Sequence, residues 1–202
     1  MADLDPVQHE GLLRVLGEAQ RIGALGTQPV HEIIDHATAF VDALPITTQS
    51  CVDLGSGAGV PGLVIAIARP HLQVTLVDRR SKRTDSLQRA VLVLGIHDRV
   101  TVVCADVEDF SRRPGIRRSF DAACARGFGP PVYTIEWSSE LVRTGGVVVV
   151  SEPPAESPDR WEHLQLEPLG IARYQRTGRV AVFHVEHFTD DIPHNPEPEG
   201  YS

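Results

Sequence analysis

Hydrophobic positions fall into two regimes along the chain. From Val7 to Gln20, the residues Leu12, Leu13, Val15, Leu16 and Ala19 lie mainly on one face of a helix. A second helical stretch runs from Val30 to Leu44, opened by Pro29 and stopped by Pro45. Residues 1–45 are therefore read as an N-terminal helical extension. Beyond it the period changes to short valine-rich runs at 51–54, 73–78, 100–106, 120–125 and 146–151. Helical stretches at 61–68, 81–94 and 132–141 separate them, and the polar, basic connection 107–119 predicts a short helix or loop. Apolar strands that alternate with helices predict a parallel sheet buried on both faces. After a proline-rich loop, "HLQLEPL" and "RVAVFHVEHF" predict an antiparallel pair closing around a turn at Gly178. The expected fold is α/β: a doubly wound, mostly parallel, seven-stranded Rossmann-like sheet over residues 46–188. Residues 189–202 read as a disordered, acidic, proline-rich tail.

With 202 residues, 42% of them hydrophobic, one core is the expectation. No apolar run approaches the ~20 residues of a membrane span, and Met-Ala-Asp-Leu-Asp-Pro is no secretory core, so a cytoplasmic protein is expected. Cys51, Cys104 and Cys124 sit inside apolar runs without a CxxC pair and read as buried, reduced thiols. Of the formal charge of −8, five acids fall within residues 186–202, which hold no Lys or Arg. The rest is near neutral with two basic runs, "DRRSKR" (78–83) and "SRRPGIRR" (111–118), either of which can attract a polyanion.

The chemistry centres on "CVDLGSGAGVPG", Cys51 to Gly62, where an acid ends the first strand and four glycines follow. Strand, glycine turn, helix, strand and acid is the order of a nucleoside site, and Asp78 ends the second strand where a carboxylate can accept from ribose hydroxyls. Gly57, Gly59 and Gly62 match the G-x-G-x-x-G of dinucleotide sites, but begin several residues past the strand. The spacing Asp53-x-Gly55-x-Gly57-x-Gly59 instead resembles class I S-adenosylmethionine (SAM) methyltransferases. An acid at that strand end suits a cationic methionine arm and repels a pyrophosphate. Asp106 follows the third strand, either to hold an adenine amino group or to cap the next helix.

A narrower resemblance covers residues 51–95. The Pro61-Gly62 pair, the "IARP" of Ile67 to Pro70, and Lys82-Arg83 shortly after Asp78 resemble the 16S rRNA guanine-N7 methyltransferase family, also called the glucose-inhibited division protein B family. The resemblance implies SAM as cofactor, held by Asp53, Gly55, Ser56, Gly57, Gly59 and Pro61 of the first turn. Asp78 would take the ribose and Asp106 the adenine, with Arg79, Ala105 and Val107 also cofactor-binding. Arg126, in "CARGFGP", matches the family's serine-arginine-alanine turn and stands as both cofactor-binding and catalytic. Lys82 and Arg83 would face the acceptor, which is small-subunit rRNA or another anionic molecule. A small-molecule acceptor, or a SAM-binding module without catalysis, is the alternative. The family's asparagine-leucine-threonine segment is replaced by "RIGALGTQP", its arginine-histidine helix signature is reduced to His36, and its lysine-glycine after the fifth strand becomes Ser151-Glu152.

Guanine N7 carries a lone pair and no proton, so such an acceptor needs positioning rather than a general base. No metal site is expected: His184 and His187 are three apart on a strand and point to opposite faces, and His31 and His36 are poorly spaced on a helix. Trp137 and Trp161 read as packing residues.

Overall fold

A computed structural model describes residues 6–153 and 156–187. The valine-rich runs form one sheet in the order β3-β2-β1-β4-β5-β7-β6. Its strands are β1 Ser50–Leu54, β2 Gln73–Asp78, β3 Val100–Cys104, β4 Phe120–Ala125, β5 Val142–Ser151, β6 Ile171–Thr177 and β7 Val180–Val185. Strands β1 to β5 pair in parallel, and β7 runs antiparallel to both of its neighbours. The chain winds outward from β1 through β2 to β3, then returns to the other side of β1 with β4. That reversal opens a crevice at the carboxyl ends of β1 and β4.

Helices α1 (Pro6–Arg21), α2 (Val30–Ala43), α3 (Gly62–Ala68) and α4 (Ser81–Val93) cover one face; α5 (Val107–Ser111) and α6 (Pro131–Leu141) cover the other. Strand alternation divides the core accordingly. Cys51 packs in the α1–α4 cluster, whereas Val52 and Leu54 join the α5–α6 cluster. Leu12, Leu16, Ile33, Ile34 and Phe40 bury in the same cluster as Leu63 and Leu76. The helical extension is thus a layer of the main core.

Three expectations need correction. "HLQLEPL" is no strand: Glu167–Leu169 form a short 3-10 turn closed by Gly170 at φ +70°. The partner of β7 is the next segment, β6, an edge strand whose residues are largely exposed and therefore mostly polar. The turn at Gly178 lies where expected, with φ +59°. Second, β5 begins at Val142 rather than Gly146. "RTGG" is a bulge inside it, between the pairs Phe120–Val142 and Ala122–Val147. Third, Cys51 and Cys124 are buried with their Sγ atoms 3.7 Å apart, but Cys104 is exposed because β3 is the other edge of the sheet. The proposed tail, residues 189–202, lies outside the described residues. Among the described residues no helix is long and apolar enough to cross a membrane.

Candidate active site

Two carboxylates fix the turn after β1. Asp78 Oδ2 accepts from Gly57 N (2.9 Å) and its Oδ1 from Arg80 N (2.9 Å), so β2 holds both the glycine turn and the start of α4. Asp53 Oδ2 accepts from Gly62 N (3.1 Å), which ties α3 to β1. Ser56 N donates to Val77 O (3.0 Å) and Ser56 Oγ to Asp53 O (2.8 Å). The glycines turn out to make room mainly for the protein itself. A Cβ at Gly62 would strike Leu76 and come within 2.6 Å of Asp53 Oδ2, and one at Gly59 would strike Leu63. Gly55, at φ +66°, would press a Cβ to 2.8 Å from the Phe128 ring.

Beside this turn a cavity of about 360 Å³ opens at the carboxyl ends of β1, β2 and β3. That volume is within the range of small-molecule sites. Gly55, Asp78, Arg79, Ala105, Asp106, Val107 and Arg83 form much of its wall, which brings together seven of the residues singled out in the sequence. Arg83 Nη1 lies 3.6 Å from Asp78 Oδ2. Asp106 does both things weighed for it: it lines the cavity, and its Oδ1 caps α5 by accepting from Glu108 N at 3.3 Å. Each carboxylate oxygen has about two acceptor sites, so Asp78 and Asp106 retain capacity for a ligand.

Other candidates stand off the wall. Asp53 is 1% exposed and turned into α3, while Ser56, Gly57, Gly59 and Pro61 form the turn behind the cavity. Lys82 is exposed on α4 and away from the cavity. Arg126 is half-buried beyond the wall, near enough to Asp53 and His36 to shift both. Burial pushes Asp53 up to about 7, against the Gly62 amide and the Arg126 charge, and its Oδ1 has no hydrogen-bond partner.

Sequence reasoning missed Phe128, Tyr133 and Arg179. The first two line the cavity with their rings 5.6 Å apart. The glycine-flanked "GFGPP" after β4 was the available signal for Phe128. Arg179, on the β6–β7 turn, donates from Nη1 to His36 Nδ1 (3.3 Å). Burial and then the Arg179 charge lower the pKa of His36, in keeping with a neutral, accepting ring. Arg126 and Arg179 are therefore two cations about a neutral His36, beyond Asp53.

Glu152, read as an anion placed where the resembling family has a cation, has a structural task. Its fully buried carboxylate accepts from Trp161 Nε1 (2.8 Å) and Arg160 Nε (2.9 Å), and pairs with Arg176 Nε at 2.8 Å. Trp161 packs edge-on against Phe183. His187 Nε2 donates to Val142 O at 2.9 Å. Among the described residues no three His, Cys, Asp or Glu side chains gather as metal ligands.

Comparison with known proteins agrees with this geometry. Residues 15–157 match the family described as rRNA small subunit methyltransferase G. The chain is 31% identical over 173 residues to ribosomal RNA small subunit methyltransferase G of Dictyoglomus thermophilum, covering 80% of this chain and 70% of that protein. The same-named protein of Moorella thermoacetica is 34% identical over 122 residues, 60% of this chain and 50% of its own length. The chain spans about half the length of several of the curated relatives that it matches. Among solved structures, cofactor-bound Rv0187 from MTB superposes with a TM-score of 0.60 at 21% identity over 90% of each chain. The mitomycin 7-O-methyltransferase MmcR gives 0.56 at 16% identity over 74% of this chain and 52% of that one. At these identities the structural likeness speaks for the fold.

Proposed function

The chain belongs to the rRNA small subunit methyltransferase G family, and from that premise we propose that it is a SAM-dependent methyltransferase acting on guanine N7 in small-subunit rRNA. The observation that carries this reading is the cavity at the carboxyl ends of β1–β3, walled by Gly55, Asp78 and Asp106.

The residues present fit the cofactor. Asp78 has acceptor capacity for two ribose hydroxyls, Asp106 for an adenine amino group, and Arg79, Ala105 and Val107 flank them. Asp53 lies buried behind the turn with an unpartnered Oδ1, and a cationic methionine arm brought up to that turn would favour its ionised form. When bound, SAM supplies an electrophilic methyl carried on a sulfonium. The protein's part is to hold the acceptor in line and to exclude water. Phe128 and Tyr133 give the cavity an apolar side. Arg83 at its rim, and Arg126 and Arg179 beyond Asp53, attract an anionic acceptor and hold its phosphates, with His36 orienting Arg179. An N7 acceptor has no proton to lose, so none of these groups has to act as a base. A ribosomal substrate puts the protein in the cytoplasm.

The test is transfer from radiolabelled SAM to small ribosomal subunits that lack N7 methylation. Label in the RNA, released as 7-methylguanine, is expected. Micromolar SAM binding without incorporation into those subunits would reject the substrate.

A further inference from the structure

Two cavities lie at opposite ends of the α5–α6 layer. The one already described takes Asp106 and Val107 from the start of α5, and Pro130 and Tyr133 from the start of α6. A second, of about 600 Å³, takes Arg112 and Arg113 from beyond the end of α5, and Trp137 and Glu140 from the far end of α6. With 11 residues in α6 and ~1.5 Å of rise each, the helix and the two cavities along it span about 16 Å, while Tyr133 and Trp137, the facing aromatic residues of the two linings, are only ~6 Å apart along the axis. Aromatic rings bridge the gap. Tyr133 and Trp137 are half-buried and packed in part on the core, as the sequence suggested for Trp137. Each leaves its remaining surface to one of the cavities. Phe128 and Tyr133 are 5.6 Å apart, and Tyr133 and Trp137, one helical turn on, are 6.3 Å apart.

The segment 111–119 carries four arginines and no acid. Arg117 pairs with Glu140, which fastens the segment to α6. Arg112 and Arg113 are exposed. The Asp109 carboxylate lies 3.7 Å from Arg112, but both side chains face water, where such a pair is weak and yields readily to a phosphate. The Arg113 guanidinium sits 5.7 Å from the centre of the Phe110 ring, over its face. Glu136, Glu140 and Glu167 line the same cavity and repel a phosphodiester from their side, toward the arginine edge.

We infer that this strip is a second RNA contact: single-stranded RNA leaving the target guanine runs along α6, stacking bases on Tyr133 and Trp137 and placing phosphates at Arg112 and Arg113. The inference rests on the rRNA reading above and extends it from Tyr133, at the edge of the cofactor cavity, to the arginine edge beyond Trp137. Aromatic platforms beside a basic edge are how proteins hold single strands without reading sequence. At ~3.4 Å or more of axis per nucleotide, 16 Å spans no more than about five nucleotides. A local single-stranded segment around the target is therefore enough to fill the strip.

The experiment uses the full chain, a fluorescent single-stranded RNA of about 12 nucleotides, and undermethylated small subunits. In R112S/R113S, SAM affinity is expected to stay within about twofold of wild type, which also reports the fold. RNA affinity should fall about tenfold at low salt. The slope of log K against log salt should flatten by about 1.4, or roughly 0.7 for each single-strand phosphate that is no longer neutralised. KM for subunits should rise while kcat holds. Trp137→Ala should weaken RNA binding about tenfold, and Trp137→Phe should restore most of it. If Trp137→Ala loses SAM binding, the arginine variant alone decides. Unchanged RNA affinity and salt slope in R112S/R113S, with wild type methylating subunits normally, would overturn the strip and leave the proposed function standing. A wild-type chain that binds SAM but neither binds the RNA nor transfers methyl would remove both.

Discussion

The substitution Asp53→Asn separates what this side chain does for the fold from what it does for a ligand. Asp53 Oδ2 holds Gly62 N, its Oδ1 is buried without a partner, and burial lifts its pKa from 3.8 to about 7. Between about pH 4 and pH 7 the folded chain therefore keeps a proton that the unfolded chain has lost. The unfolded state binds fewer protons there, so stability falls as pH rises through this window and levels off above it. At 1.36 kcal/mol per pH unit the loss is about 4 kcal/mol by pH 8. An asparagine side chain would keep an acceptor for Gly62 and carry no charge. Asp53→Asn should accordingly be more stable than wild type by about 2–4 kcal/mol at pH 8, and nearly equal to it at pH 4.5. His36 and His184, whose pKa values burial lowers, act oppositely: they favour folding as pH rises toward 6.5. Both proteins carry them, so the difference between the two isolates Asp53. Urea unfolding of each at half-unit steps from pH 4.5 to 8.5 measures it. A stability difference that is constant across that range would refute the reasoning.

Other substitutions probe other joints of the site. Glu152→Ala leaves Arg160, Arg176 and Trp161 Nε1 without their shared carboxylate and should cost about 3 kcal/mol, lowering Tm by roughly 6–12 °C in calorimetry. Gly55→Ala forces a left-handed alanine against Phe128; a loss of about 1–2 kcal/mol with weakened SAM binding is expected from paired melting and titration. Asp78→Asn places an amide nitrogen against Gly57 N or Arg80 N, and should reduce SAM affinity by at least about tenfold in equilibrium dialysis.

What could be read before folding follows from how each segment is buried. Strands β1 to β4 sit in the sheet with enough apolar residues to show as continuous runs, and β7, flanked by β5 and β6, shows equally well. Edge strand β6 shows only Ile171 buried, so its polar sequence hid it behind the more apolar "HLQLEPL". The start of β5 was hidden by the bulge at "RTGG", which is polar because it leaves the ladder. Asp78 and Asp106 were legible because each is an acid that breaks an apolar run at its end. Both also do structural work there, Asp78 on Gly57 and Arg80 and Asp106 as the cap of α5. Phe128, Tyr133 and Arg179 reach the site from a loop, a helix and a turn that only the tertiary fold brings near. Glu152 could be noticed as an odd acid, but its partners Arg160, Trp161 and Arg176 lie well along the chain and could not be guessed from spacing.

A crystal structure of the full chain grown with saturating SAM tests the central claim most directly. The account predicts the adenosine in the cavity between Gly55 and Val107, with the ribose hydroxyls ~2.7–3.2 Å from Asp78 and the adenine against Asp106. SAM bound elsewhere, or this cavity closed over by Phe128 with no ligand inside it, would contradict it.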